Sequence, residues 1–212
     1  MLRVMNGNPS RQRLACLLSL LAALQACGGG ASDSSSAAAP APAPSPPAAS
    51  PPTSPPAPTP PVTGSRATCN LANFQAEALA LVNAQRTAGA SCGARGSFAT
   101  TTGLAWNDPL TQASLVHSDD MVGGNFFSHT GSTGLDAGQR ATAAGYVWRT
   151  WGENIAAGQS TVAAVVAGWM ASDGHCANIM NPAFRDIGLA CVSGTASNTY
   201  RSYWTMTLGA AR

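Results

Sequence analysis

The sequence holds three histidines, His117, His129 and His175, with a single glutamate, Glu153, between the last two. Neutral imidazoles and a carboxylate suit a zinc ion, and two His with one Glu and an open position is a geometry of catalytic zinc sites. With a serine added, the same residue types meet the demand for an acid, a base and a nucleophile. His129, Glu153 and His175 are separated by 24 and 22 residues, so no local spacing joins them. H-E-x-x-H does not occur. The chain also has no lysine, which removes Lys nucleophiles, Ser-x-x-Lys hydrolysis and a phosphate-loop lysine. Only the fold can assemble this chemistry.

The elements that must do so begin past residue 67. Leu71, Phe74, Ala78, Leu81 and Val82 recur at helical spacing, and Gly89 offers a stop, which predicts a helix over residues 70 to 87. Asp108 as cap and Pro109 in the first turn start a second helix, running to about Met121 and ending at Gly123-Gly124. His117 falls on its inward face, four residues from Ala113 and from Met121, which favours a buried, hydrogen-bonded structural role over cleft chemistry. A shorter helix follows Thr133 and stops at Gly145, and Val162, Val165, Val166 and Trp169 mark another after Thr161. A short strand is expected near Asn154-Ile155. Asp186 to Val192 and Ser202 to Leu208 then change to a period of two and predict an antiparallel hairpin. Helices first and strands late indicate an α+β layer fold. Trp106, Trp148, Trp151 and Trp169 are expected in the core or a cleft wall.

Ahead of these elements the composition differs. Arg3, Arg11 and Arg13 precede an apolar run of 11 residues, Leu14 to Leu24, too short to span a bilayer. Leu24-Gln25-Ala26-Cys27 resembles a lipobox, so residues 1–26 are expected to be a lipoprotein signal peptide, and Cys27 the lipidated N-terminus and membrane anchor. Gly28 rather than Asp after that cysteine resembles lipoproteins sorted to an outer membrane. Residues 27–67 read as a linker, Gly/Ser-rich and then proline-rich, with 12 of the 15 prolines between Pro40 and Pro61. Its 22 proline-rich positions reach roughly 70 Å as polyproline II. Residues 68–212 then form one domain. From residue 67 onward seven Arg face eight Asp or Glu. That balance gives no electrostatic case for nucleic acid, and a monomer is expected.

Several segments, taken in order, carry a family resemblance: Leu81-Val82-Asn83-Ala84-Gln85-Arg86, Leu104-Ala105-Trp106-Asn107, His117-Ser118-Asp119-Asp120-Met121, Phe126-Phe127-Ser128-His129-Thr130-Gly131, Gly152-Glu153-Asn154-Ile155, Trp169-Met170-Ala171-Ser172-Asp173-Gly174-His175, Asn178-Ile179-Met180-Asn181-Pro182 and Tyr203-Trp204-Thr205-Met206. They resemble bacterial CAP domains, the cysteine-rich secretory protein, antigen 5 and pathogenesis-related family. The resemblance implies an αβα sandwich with a small antiparallel sheet between helical layers and a central cleft. In such clefts two His and two acidic residues often hold zinc or another divalent cation. Motif by motif, the cleft positions fall on His129, Glu153 and His175, and the second acidic position on Ser172. A serine there supplies no anionic ligand, which weakens any metal site, and Asp173 beside it points elsewhere.

Three functions follow from this reading: an envelope-anchored module binding a small molecule, lipid or peptide in the cleft or an apolar side groove, a hydrolase using His129, Glu153, Ser172 and His175, or an interaction domain with an idle cleft. Cys69, Cys92, Cys176 and Cys191 remain in the domain, an even number suited to two disulfides in an oxidising compartment. Of the three pairings, Cys69 with Cys92 and Cys176 with Cys191 are favoured.

Overall fold

The structure, a computed structural model, describes residues 65–212 and the backbone of Val4–Gly7. The rest of the expected leader, the Cys27 site and the linker through residue 64 lie outside the described residues. No helix among the described residues is long and apolar enough to cross a membrane.

Five α-helices form among the described residues, four of them anticipated. α1, Phe74–Ala88, starts later than its apolar pattern because Cys69, Asn70 and Asn73 hold left-handed backbone ahead of it. Asn tolerates that region at low cost. Gly89, at φ 77°, ends the helix and donates its N–H to the Gln85 carbonyl. α2, Asp108–Gly124, is capped by Asn107 rather than Asp108: the Asn107 Oδ1 accepts from the Leu110 N–H at 3.1 Å. Asp108 and Pro109 instead fill the first turn, where a carboxylate meets the positive end of the helix dipole. α3, Ala137–Ala143, opens on a reciprocal capping box between Asp136 and Gln139. α4, Val162–Met170, is capped by Thr161. α5, Asp173–Met180, was not legible as a helix in the sequence, being only eight residues long and lacking a side-chain cap bond from Ser172.

The strands are β1 (Val4–Gly7), β2 (Ala90–Ser91), β3 (Ser97–Phe98), β4 (Ala105–Trp106), β5 (Trp148–Ala157), β6 (Asp186–Ser193) and β7 (Ser202–Ala211). β2 and β3 form a small ribbon, while the main sheet runs β1-β5-β7-β6-β4. The hairpin β6-β7 is antiparallel as expected, and so are β5-β7 and β1-β5, but β4 adds itself parallel to β6. The expected short strand near Asn154 is ten residues long. Gly152, Glu153 and Asn154 are poor strand formers that hide it in the sequence, and continuous pairing with β7 overrides their propensity.

Helices cover both faces of the sheet. α2 packs on β6 and β7 from one side with α3 beside it, and α1, α4 and α5 cluster on the other. β7 shows the consequence residue by residue. Trp204, Met206 and Leu208 join Phe74, Val166, Trp169, Ile179 and Phe184 in the larger core. The alternate residues Thr205 and Thr207 also avoid water, bonding to Ser118 and Ser114 of α2 at 2.9 and 2.8 Å. Gly188 permits this approach, because a Cβ there would collide with the α2 backbone at Leu110 and Thr111.

The disulfides join Cys69 to Cys191 and Cys92 to Cys176, correcting the pairing favoured from the sequence. Spatial adjacency, not sequence distance, sets it. The Cys69 N–H donates to the Cys191 carbonyl at 3.0 Å, which lays the start of the domain along β6. The first turn of α5 rests on the turn Gly93–Arg95, where the Ala94 N–H donates to Asp173 at 2.8 Å. With that contact Asp173 points away from the cleft residues. Arg86, wholly buried, ties the end of α5 to α1 by donating to the carbonyls of Thr102, Ile179, Asn181 and Phe184. Burial, with Arg185 nearby, lowers its pKa to about 10.

Candidate functional site

Glu153 sits in the middle of β5, 1% exposed, and three elements deliver cationic or polarisable groups to it. Asn125 turns the chain out of α2 in left-handed backbone, so that the following segment carries His129 back over the sheet. The His129 Nδ1–H donates to the Glu153 Oε1 at 2.7 Å. From α3, the Arg140 Nη2 donates to Oε2 at 2.6 Å, to the His129 carbonyl at 3.1 Å, and through Nη1 to the Leu135 carbonyl at 2.6 Å. From α2, the His117 Nε2 lies 4.0 Å from Oε1 while donating to the Ser128 carbonyl at 2.9 Å.

These contacts set the charge states. Burial alone pushes the Glu153 carboxyl up, but the His129 hydrogen bond and the charges of His117, Arg140 and His129 outweigh it and hold the pKa below the ordinary value. Burial pushes His117 down more than Glu153 raises it, so its ring is neutral at pH 7. The 4.0 Å contact between them is therefore a polar approach and not an ion pair at neutral pH. His117 thus occupies the buried, hydrogen-bonded place expected of it, and in addition borders the Glu153 carboxylate.

His175 is placed differently. It lies wholly buried in the first turn of α5, and its carbonyl accepts from the Asn154 Nδ2 at 3.1 Å. Asn178 of the same helix bonds the Asn154 side chain and the Glu153 carbonyl. Successive side chains of a strand point to opposite faces. Glu153 faces His129, Arg140 and His117, whereas Asn154 faces α5. Ser172 is the N-cap residue of α5, and no hydrogen bond among the described residues joins it to His129, Glu153 or His175. The fold therefore brings His129 and Glu153 together, adds Arg140 and His117, and places His175 and Ser172 on α5, which meets β5 through the Asn154 side chain. Arg140 was missed in the sequence. Its one signal was a basic residue inside a helix that follows the His129 segment.

The donor set does not fit a metal ion. No group of three or more His, Cys, Asp or Glu among the described residues is arranged to hold one. Both Glu153 oxygens are engaged, and a guanidinium at 2.6 Å opposes a second cation. The zinc ligand set implied by the resemblance, His129, Glu153 and His175, is not assembled here. What the arrangement can do is hold a buried carboxylate ionised and fix the His129 ring and the loop around it.

An apolar side groove lies elsewhere, about 720 Å³, lined by residues that include Leu71, Phe74, Leu79, Trp106 and Leu189. It contains none of the four cleft residues.

The family model described as the cysteine-rich secretory protein family, CAP, matches residues 79–208. The chain is 38% identical over 89 residues to the uncharacterized protein YkwD of Bacillus subtilis (strain 168), covering 42% of this chain and 35% of that one. It is 30% identical over 86 residues to the uncharacterized membrane protein YlbC of the same organism, covering 41% and 25%. The chain thus spans about a third and a quarter of the lengths of these relatives. Among solved structures, an extracellular protein containing an SCP domain from Bacillus anthracis str. Ames is 30% identical with a TM-score of 0.45, covering 51% of this chain and 34% of that one. An outer surface protein from Borrelia burgdorferi is 19% identical with a TM-score of 0.48, covering 53% and 80%.

Proposed function

The chain belongs to the cysteine-rich secretory protein family, and from that premise we propose that it is an exported, lipid-anchored binding module rather than an enzyme. The observation that carries the non-catalytic part is the engagement of both Glu153 oxygens by His129 and Arg140. A carboxylate so paired, with its pKa held down, is a poor proton acceptor. The ligand is a small molecule, lipid or peptide taken in the cleft region beside β5 or in the apolar side groove. No metal is needed for this reading.

The anchoring part is supported by the Leu24-Gln25-Ala26-Cys27 segment and the spacer behind it. Lipidation of Cys27 would hold the domain off a membrane, an outer membrane where two are present. Cys27→Ser should abolish lipid attachment and the cleavage that depends on it, and a variant still processed and membrane-bound overturns this assignment.

One observation favours a hydrolytic reading: His129 bonded to Glu153 through Nδ1 is the base-and-orienter half of a triad. Titration of the purified protein against lipids, peptides and small molecules, run beside a generic esterase and peptidase assay, separates the two. Saturable binding without turnover is expected. Turnover that is lost in His129→Ala overturns the binding-module reading.

A further inference from the structure

Without β1 the main sheet would end at β5, and in the structure that edge is covered. Val4, Met5, Asn6 and Gly7 pair antiparallel with Asn154, Glu153, Gly152 and Trp151 in turn. On the sequence reading these four residues belong to a leader removed ahead of Cys27, so processing would uncover the backbone donors and acceptors of β5. An uncovered edge strand is a template for another chain. Trp151 to Asn154 contain neither lysine nor proline, two usual protections, and the one charged side chain, Glu153, is turned into the interior. The irregularity in β5 lies between Trp148 and Thr150, outside the paired stretch.

The seated segment is itself informative. Val favours strands but Asn and Gly are depleted in them, so the pairing with β5 holds the second half of Val-Met-Asn-Gly extended against its own propensity. α5 lies near β1 as well as β5. The Glu153 cluster lies on one face of β5, and Asn154, which meets α5, lies on the other.

We infer that in the processed protein the Trp151–Asn154 edge takes an extended peptide segment of a partner polypeptide as an added antiparallel strand, recognised by its backbone. This rests on the binding-module reading and names its ligand class. A lipid lacks the alternating donors and acceptors that the edge presents.

The test uses the full chain carrying Met5→Pro and Asn6→Pro, which prevents its own segment from pairing in either alternation. The probe is a fluorescent peptide of the sequence Leu2–Asn8, measured by anisotropy. Two further peptides carry N-methyl groups at Val4 and Asn6, or at Met5 and Gly7. Saturable binding of the plain peptide is expected, weakened at least about tenfold by one alternation and changed less than about threefold by the other, because only alternate amides face the neighbouring strand. The unsubstituted full chain, whose edge is filled, should bind at least about tenfold more weakly and should protect from hydrogen exchange the alternate amides of Trp151–Asn154 that face away from β7. Equal behaviour of both methylated peptides, or no saturable binding, overturns the inference. If the peptides fail while a lipid or small molecule binds saturably, the binding-module reading stands without it; if nothing binds and a substrate is turned over, both fall.

Discussion

Arg140 of α3 and Glu153 of β5 form a buried ion pair, Nη2 to Oε2 at 2.6 Å, with side chains 5% and 1% exposed. The pair joins the helix, the loop carrying His129 and the sheet through one guanidinium. Removing one partner of such a pair leaves a buried charge that costs about 3–5 kcal/mol. Arg140→Met should lower stability by that amount in urea unfolding, and adding Glu153→Gln should restore part of it. If Arg140→Met unfolds at the wild-type midpoint, the pair contributes nothing to the fold.

Acid should weaken the domain in two stages. The His117 pKa is lowered in the fold, so the unfolded chain takes up protons first and stability declines as pH falls below about 6.5. The Glu153 pKa is also lowered, so its contribution is complete above the ordinary carboxyl value of 4.5 and is lost as pH falls through the lower folded value. Denaturant midpoints measured from pH 7 downward should show both. His117→Gln should flatten the first stage alone, and an unchanged slope there would assign it to other groups.

Zinc should not bind through the cleft residues. The sequence alone suggests that a carboxylate at position 172 would strengthen a metal site, but Ser172 stands at the N-cap position of α5, the helix that meets β5 through Asn154. Calorimetry of Ser172→Glu should therefore show no gain in zinc affinity over wild type. A gain that disappears in His129→Ala would show that the two faces meet at a metal.

Mass mapping of the unreduced protein should recover Cys69 linked to Cys191 and Cys92 linked to Cys176. The first closes a sequence separation of 122 residues and the second one of 84. The chain-entropy treatment gives roughly 4–5 kcal/mol for each. Replacing both cysteines of either bridge by serine should cost an amount of that order in thermal unfolding. A peptide linking Cys176 to Cys191 would overturn the pairing.

Gly188→Ala and Gly123→Ala should behave oppositely. A Cβ at 188 meets the α2 backbone, which cannot yield without separating helix from sheet, whereas one at 123 meets nothing within 4 Å. Overpacking at 188 should cost about 3 kcal/mol, while the helical 123 substitution should be neutral or stabilising by up to about 1 kcal/mol. Similar unfolding midpoints for the two variants would remove Gly188 as the contact that sets the α2 spacing.

The sequence by itself determined the α+β class, four helices and the hairpin, because apolar periodicity and capping residues act over a few positions. The spacing of Val162, Val165, Val166 and Trp169 and the alternation from Ser202 to Leu208 are of this kind. The family could be read from the order of its segments, since each keeps its local spacing. Only the tertiary structure decided the rest. α5 and the length of β5 depend on neighbours that override weak local propensity. The disulfide partners are set by where Thr68 and the Gly93 turn come to lie. Position along the chain cannot say which face of β5 a residue meets: Glu153 and Asn154 are adjacent in sequence, and the pleat sends one to His129 and Arg140 and the other to the helix that carries His175.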